Sequence, residues 1–183
     1  MTRINPVDPN TADPKARNLL ANVQKALGVT PNLMKTIAHS PASLEAYLGF
    51  GQALGSGTLG GKLREQIALT VAGVNNCEYC ASAHTALGDG LGVSKDELTR
   101  NLSGFSDDSR TNAALSFAKS IVTRRGWVTD EELANARGAG LSESDIVEII
   151  AVVAINTFTN YFNHVAGTEV DFPVVEIDES IAA

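Results

Sequence analysis

The stretch at residues 62–88, KLREQIALTVAGVNNCEYCASAHTALG, decides how this chain is read. No charged side chain occurs over residues 67–74, so the segment reads as a helix buried on most of its sides, without the polar face of a surface helix. Asn75-Asn76 then supplies a cap, and a second helix begins at Cys77 and fades over residues 88–92. Two consecutive helices of this kind, with a Cys-x-x-Cys at the entry of the second, form a core motif at residues 62–92.

Working outward, the same caps and breakers recur on both sides, with almost no strand signal. Asp13-Pro14 pairs an N-cap with a proline at the first helical position, predicting a helix that ends at Leu27 before Gly28. Thr30-Pro31 and Ser40-Pro41 repeat the device and predict a short helix, then a longer one towards Leu54; the glycine-rich residues 55–61 are a loop. Ser94-Lys-Asp-Glu97 and Thr129-Asp-Glu-Glu132 have capping-box spacing. Between them, residues 109–123 set Ala114, Leu115, Phe117, Ala118, Ile121 and Val122 on one apolar side. Ser142, after Gly138 and Gly140, opens a last long helix over residues 143–165. Residues 170–177 have strand-like composition, but Pro173 predicts an extended arm lying on the domain or on a neighbouring subunit. The expectation is one all-α domain over residues 1–183, a compact bundle of about seven to eight helices with a C-terminal arm at residues 167–183. Glu65, Asn76, Cys80 and His84 also share their spacing with Asp145, Asn156, Asn160 and His164, at an offset of 80. Four matched positions favour chance over an internal duplication.

A chain of 183 residues can bury its own core, and 44% apolar against 19% charged residues is a globular balance. The net charge of −7, with no basic cluster beyond Arg124-Arg125, excludes a protein that grips nucleic acid through phosphates. Residues 1–13 lack the apolar stretch of a signal peptide, and the apolar run at 149–155 is too short to cross a bilayer. The expectation is a soluble cytoplasmic protein with neither a nucleic-acid nor a membrane partner. In a reducing compartment, Cys-x-x-Cys points to catalysis or metal binding before it points to a structural disulfide.

Cys77 and Cys80, three apart on a helix, share a face and can close a disulfide. In the first helical turn Cys77 would be the thiol that the helix dipole makes more acidic. His84 continues the stripe one turn beyond Cys80 and can take a proton from a thiol or return one to a leaving group. Glu65 lies on an apolar line with Ala68, Leu69 and Ala72, where a carboxylate needs a partner. Three readings stay open at this point: a redox-active dithiol with Glu65 and His84 as proton-handling partners, a zinc site of the same four residues, and two small buried cysteines without chemistry. His164, Asn156 and Asn160 on the last helix either line the same cleft or belong to core and interface, and His39 reads as a helix-terminal residue.

The pattern E-x11-C-x2-C-x3-H, together with the preceding TPNLMKTIAHSPASLEAYLGF, resembles the alkylhydroperoxidase-D/carboxymuconolactone decarboxylase superfamily in its peroxidase-related branch. The likeness is good over residues 31–98 and looser to His164. It implies an all-helical fold assembling as homotrimers or homohexamers, and reduction of a small hydroperoxide without a cofactor or metal. By resemblance, Cys80 is the peroxidatic thiol, Cys77 the resolving one, and Glu65 and His84 the relay that deprotonates Cys80; Cys77, the more exposed, meets an external dithiol reductant. Tyr79 stands where efficient peroxidases of the family carry a histidine, and a phenol does not act as a base near neutral pH. The decarboxylase branch lacks the cysteine pair, so its lactone chemistry does not carry over; a cofactor-free lyase remains an alternative.

Overall fold

Helix ends fall where the caps and breakers are. The computed structural model describes residues 1–178. In it, Asp13 caps α1 (Pro14–Leu27) by accepting from the Lys15 N–H, and Gly28 closes that helix in the left-handed region at φ 77°. Ser40 caps α3 (Pro41–Gly55) by accepting from the Ser43 N–H. Thr30 does not cap the short α2 (Asn32–Ile37): Pro31 is its N-cap residue, and the Thr30 hydroxyl donates to Gln24 Oε1. The Asn32 N–H is met instead by the Asp171 carboxylate, 2.7 Å away and 139 residues downstream. Then follow α4 (Gly61–Val74), α5 (Glu78–Gly90), α6 (Lys95–Leu102), α7 (Ser109–Thr123), α8 (Asp130–Gly138) and α9 (Glu143–Ala166).

The described residues thus hold nine helices where seven or eight were expected, because α2, α6 and α8 span only six, eight and nine residues and are easily merged with their neighbours. The Thr129 capping box is complete, as is one at Ser142 with Asp145 in the acidic position. The Ser94 box is half formed. Ser94 accepts from the Glu97 N–H, but the Glu97 carboxylate collects Gln66, Asn101, Ser106 and Arg100, tying α6 to α4 and to the loop before α7.

Burial of α4 is what its uncharged stretch required. Residues 66–74 are all buried, with Leu69 and Ala72 in a cluster built with α1, α2, α5 and α6, and Ile67 and Val71 in a second cluster with α7, α8 and α9. At Gly73 a Cβ would stand 1.9 Å from the Leu102 carbonyl oxygen, so glycine is what lets α4 and α6 touch. Among the described residues α9 alone has the length and apolar composition of a membrane span. Here it packs against α3, α4, α5 and α7 and buries Asp145, Asn156, Asn160 and Asn163, the pattern of a core helix. The 80-residue offset has no structural counterpart, since Asp145 and His164 share one unbroken helix whereas Glu65 and His84 lie on two.

After Gly167 the arm is extended without strand pairing among the described residues, and it lies on its own chain. Val170, Phe172, Val175 and Ile177 pack on the first cluster, and the Val175 N–H donates to Ser82 Oγ. Residues 179–183 of the expected arm lie outside the described residues.

Candidate active site

The break between α4 and α5 sets the site. Asn76 takes the left-handed φ of 53°, and Cys77 follows in an extended conformation as the N-cap of α5, outside the first turn where the sequence had put it. Its Sγ accepts from the Cys80 N–H at 3.4 Å, the role a serine oxygen usually plays. The two Sγ atoms are 2.7 Å apart as free thiols, the Cys77 S–H donating to Cys80. Packing of α5 on α4 brings His84 to Glu65, Nδ1 donating to Oε2 at 2.7 Å, both side chains half-buried. The structure therefore gathers all four predicted residues.

Their protonation follows from these contacts. Burial raises the Cys80 thiol, but the Cys77 S–H bond, the charge on His84 and the amides of Asn163 and Asn160 together outweigh it and hold Cys80 below an ordinary thiol. Cys77 shifts the other way: the hydrogen bond it donates to Cys80, and then burial, hold its own proton in place. Burial lowers His84, but the Glu65 carboxylate, Cys80 and Asn156 overcome this and favour the imidazolium. The expectation that the dipole makes Cys77 the more acidic thiol is overturned, because a capping Sγ whose S–H is bonded to the neighbouring sulfur holds its proton. Cys77 is also not the more exposed cysteine; the pair is 1% and 2% accessible.

Accessibility to a small molecule still differs. A cavity of about 780 Å³, counted to its open mouth, is walled by Leu33, Met34, Tyr47 and Phe172 and reaches Cys80 and His84 but not Cys77. Two contributors were missed in the sequence. Tyr47 presents its phenol to this cavity, its ring tilted against Phe158 at 6.2 Å; burial and then the charges at Cys80 and Glu65 push its pKa up to about 12, so it remains a hydrogen-bond donor. Asn163 donates from Nδ2 to Cys80 Sγ at 3.2 Å. The signal for it was legible: Asn156, Asn160 and Asn163 recur at i, i+4 and i+7 on an otherwise apolar helix, and all three are buried on the face turned to the site.

Tyr79 takes no part in proton transfer. Its hydroxyl accepts from the Leu33 N–H at 3.1 Å and donates to Asp171 Oδ1 at 2.8 Å, and its ring meets Phe172 edge-on. Burial raises its pKa further. Where the resemblance has a base, this chain has a latch that holds the arm against α2. His164 is exposed, donates to the Asn76 carbonyl at 3.3 Å and stands outside the cavity; His39 bonds the Asn5 carbonyl at the end of α2. Among the described residues no group of three or more histidine, cysteine or acidic side chains is placed to hold a metal ion.

No curated protein matches the chain. Solved structures share its fold. An uncharacterized peroxidase-related protein from Ralstonia eutropha JMP134, described as an alkylhydroperoxidase AhpD core, is 23% identical with a TM-score of 0.81, covering 98% of this chain and 94% of its own. A peroxidase-related protein from Silicibacter sp. TM1040 is 24% identical with a TM-score of 0.79, covering 91% and 92%. The debrominase Bmp8, in complex with 2,3,4-tribromopyrrole, is 22% identical with a TM-score of 0.80, covering 93% and 92%. Residues 41–120, from the start of α3 into α7, match the carboxymuconolactone decarboxylase family. That match spans α4 and α5, which carry Glu65, Cys80 and His84, and Cys77 between them.

Proposed function

We propose that this chain is a dithiol peroxidase, with Cys80 as the attacking thiolate, Cys77 as the resolving thiol and Glu65–His84 as the proton relay. The observation that carries the reading is that the cysteine with the depressed pKa is also the one at the wall of the apolar cavity, with its partner thiol 2.7 Å away. The Cys80 thiolate attacks the terminal oxygen of a hydroperoxide: an S–O bond forms, the O–O bond breaks, and the alcohol leaves with a proton from His84. Cys77 then condenses with the sulfenic acid, releasing water and leaving a disulfide that an external dithiol reduces. The cavity wall favours a small organic hydroperoxide over a hydrated one. Two free thiols fit the reducing cytoplasm. A second copy of the chain, in a homotrimer or homohexamer, belongs to the same reading. The test is peroxide consumption with a panel of dithiols; wild type should turn over and Cys80→Ser should not, and full activity in Cys80→Ser sinks the assignment.

A second reading draws on the aromatic side chains of the cavity, Tyr47, Tyr79 and Phe172, and on the debrominase among the neighbours. The same dithiol can reduce a carbon–bromine bond: one aryl bromide and two thiols give the arene, bromide, a proton and the disulfide. Bromide release from a brominated pyrrole, set beside peroxide consumption, separates the two.

A further inference from the structure

The polar atoms around Cys80 are not all used by the resting dithiol. Asn163 donates from Nδ2 to Cys80 Sγ, and its Oδ1 is buried without a partner among the described residues. Asn160, fully buried one turn earlier, has its amide orientation fixed: Oδ1 accepts from Asn75 Nδ2 at 2.9 Å, which leaves Nδ2 as the free donor. That Nδ2 makes no hydrogen bond among the described residues, yet it lies near enough to Cys80 for its dipole to favour the thiolate. A buried amide donor without an acceptor is destabilising, so its retention beside a reactive sulfur calls for an explanation.

We infer that Asn160 Nδ2, held by Asn75, is a preorganised donor for the oxygen that peroxide transfers to Cys80, with Asn163 Nδ2 completing the site once that oxygen is in place. The inference rests on the peroxidase reading and adds to it a donor site for the transferred oxygen. In the resting state Asn163 bonds the thiolate, and Asn160 favours it from nearby without making a hydrogen bond. As the S–O bond forms and the O–O bond breaks, negative charge passes to the leaving oxygen, which His84 protonates, while the transferred oxygen gives Asn160 Nδ2 the hydrogen-bond partner it lacked in the ground state. A hydrogen bond made only as the reaction proceeds lowers the barrier more than it steadies the resting state.

The test uses full-length Cys77→Ser protein, in which oxidation stops at the sulfenic acid, and compares two reactions of Cys80 at a pH where it is fully ionised. Hydroperoxide places an oxygen on sulfur; iodoacetamide alkylates the same thiolate and places none. Adding Asn160→Ala should slow peroxide oxidation, followed by trapping with dimedone, on the order of ten- to a hundredfold, with alkylation unchanged. Asn75→Ala, which keeps Asn160 but frees its amide to turn, should show the same selective loss to a smaller degree and covers the case where Asn160→Ala does not fold. Equal slowing of both reactions, or no slowing of either, overturns the inference. If the parent Cys77→Ser protein consumes no equivalent of peroxide, the peroxidase reading itself fails and the donor site falls with it.

Discussion

At the scale of single residues, a thiol buried among apolar side chains should resist ionisation, and both cysteines are buried. The difference between them comes from Cys77 lying one position outside α5. As the N-cap residue it accepts the Cys80 N–H and donates an S–H hydrogen bond to Cys80 Sγ, which favours Cys80 as the thiolate. His84 supports that charge because Glu65 supports the imidazolium. Since Cys80 is depressed, its reactivity should be present above that lowered value and lost as pH falls through it. Glu65→Gln withdraws the support for His84 and should move the midpoint of iodoacetamide alkylation of Cys80 up by about one pH unit. An unmoved midpoint means the pair does not act on the thiol. Tyr79→Phe should keep that midpoint but lower stability by about 1–3 kcal/mol, because the Leu33 N–H and the Asp171 carboxylate both lose a buried partner. Denaturant unfolding measures it.

At the scale of elements, α4 holds the domain together because each of its faces belongs to a different apolar cluster. Gly73→Ala drives a methyl into the Leu102 carbonyl and should cost about 3 kcal/mol, roughly 6–12 °C in Tm, by thermal unfolding. A change within 2 °C would mean that α6 shifts freely. Glu97 knits α4 and α6 to the next loop; burial raises its pKa, but donation from Ser106, Asn101 and Arg100 lowers it more. A depressed carboxylate contributes stability above its unfolded pKa and loses it as pH falls through the folded one. The stability gap between wild type and Glu97→Gln should thus be about 1–2 kcal/mol at neutral pH and shrink below about pH 4. How much of this was legible follows from the range of the interactions. Asp13, Ser40, Thr129 and Ser142 act within three residues, so the helix starts they mark could be read directly. The pairing of Glu65 with His84 was legible as a need on each side. What stayed hidden came from afar: Asp171 capping α2, Glu97 drawn from its capping box by Gln66 and Ser106, and Asn163 reaching Cys80 across 83 positions. Cys77 was misplaced by a single residue, and that residue reversed the expected acidity.

At the scale of the molecule, α9 has two faces with different duties. One buries Asn156, Asn160 and Asn163 at the site; the other leaves Val147, Ile150, Phe158, Tyr161 and Val165 exposed. Their spacing of three, four or eight residues makes one stripe about 27 Å long without a charge in it. The proposed homo-oligomer would cover such a stripe with a second copy in a symmetric contact. The stripe is joined to the site through Phe158, whose ring lies against Tyr47 on the cavity wall and against Phe162. Closing the interface would hold Phe158, and with it the Tyr47 phenol over Cys80. The double variant Tyr161→Glu/Val165→Glu places two carboxylates where a partner's apolar side chains would lie, a burial that costs several kcal/mol. Sedimentation should find an assembly for wild type and a monomer for the variant. Iodoacetamide reactivity of Cys80 should survive in the monomer, since the dithiol, His84 and Glu65 come from one chain, while the KM for an organic hydroperoxide should rise several-fold as Tyr47 loses its backing. A wild-type monomer removes the interface, and an assembled variant moves it to another face.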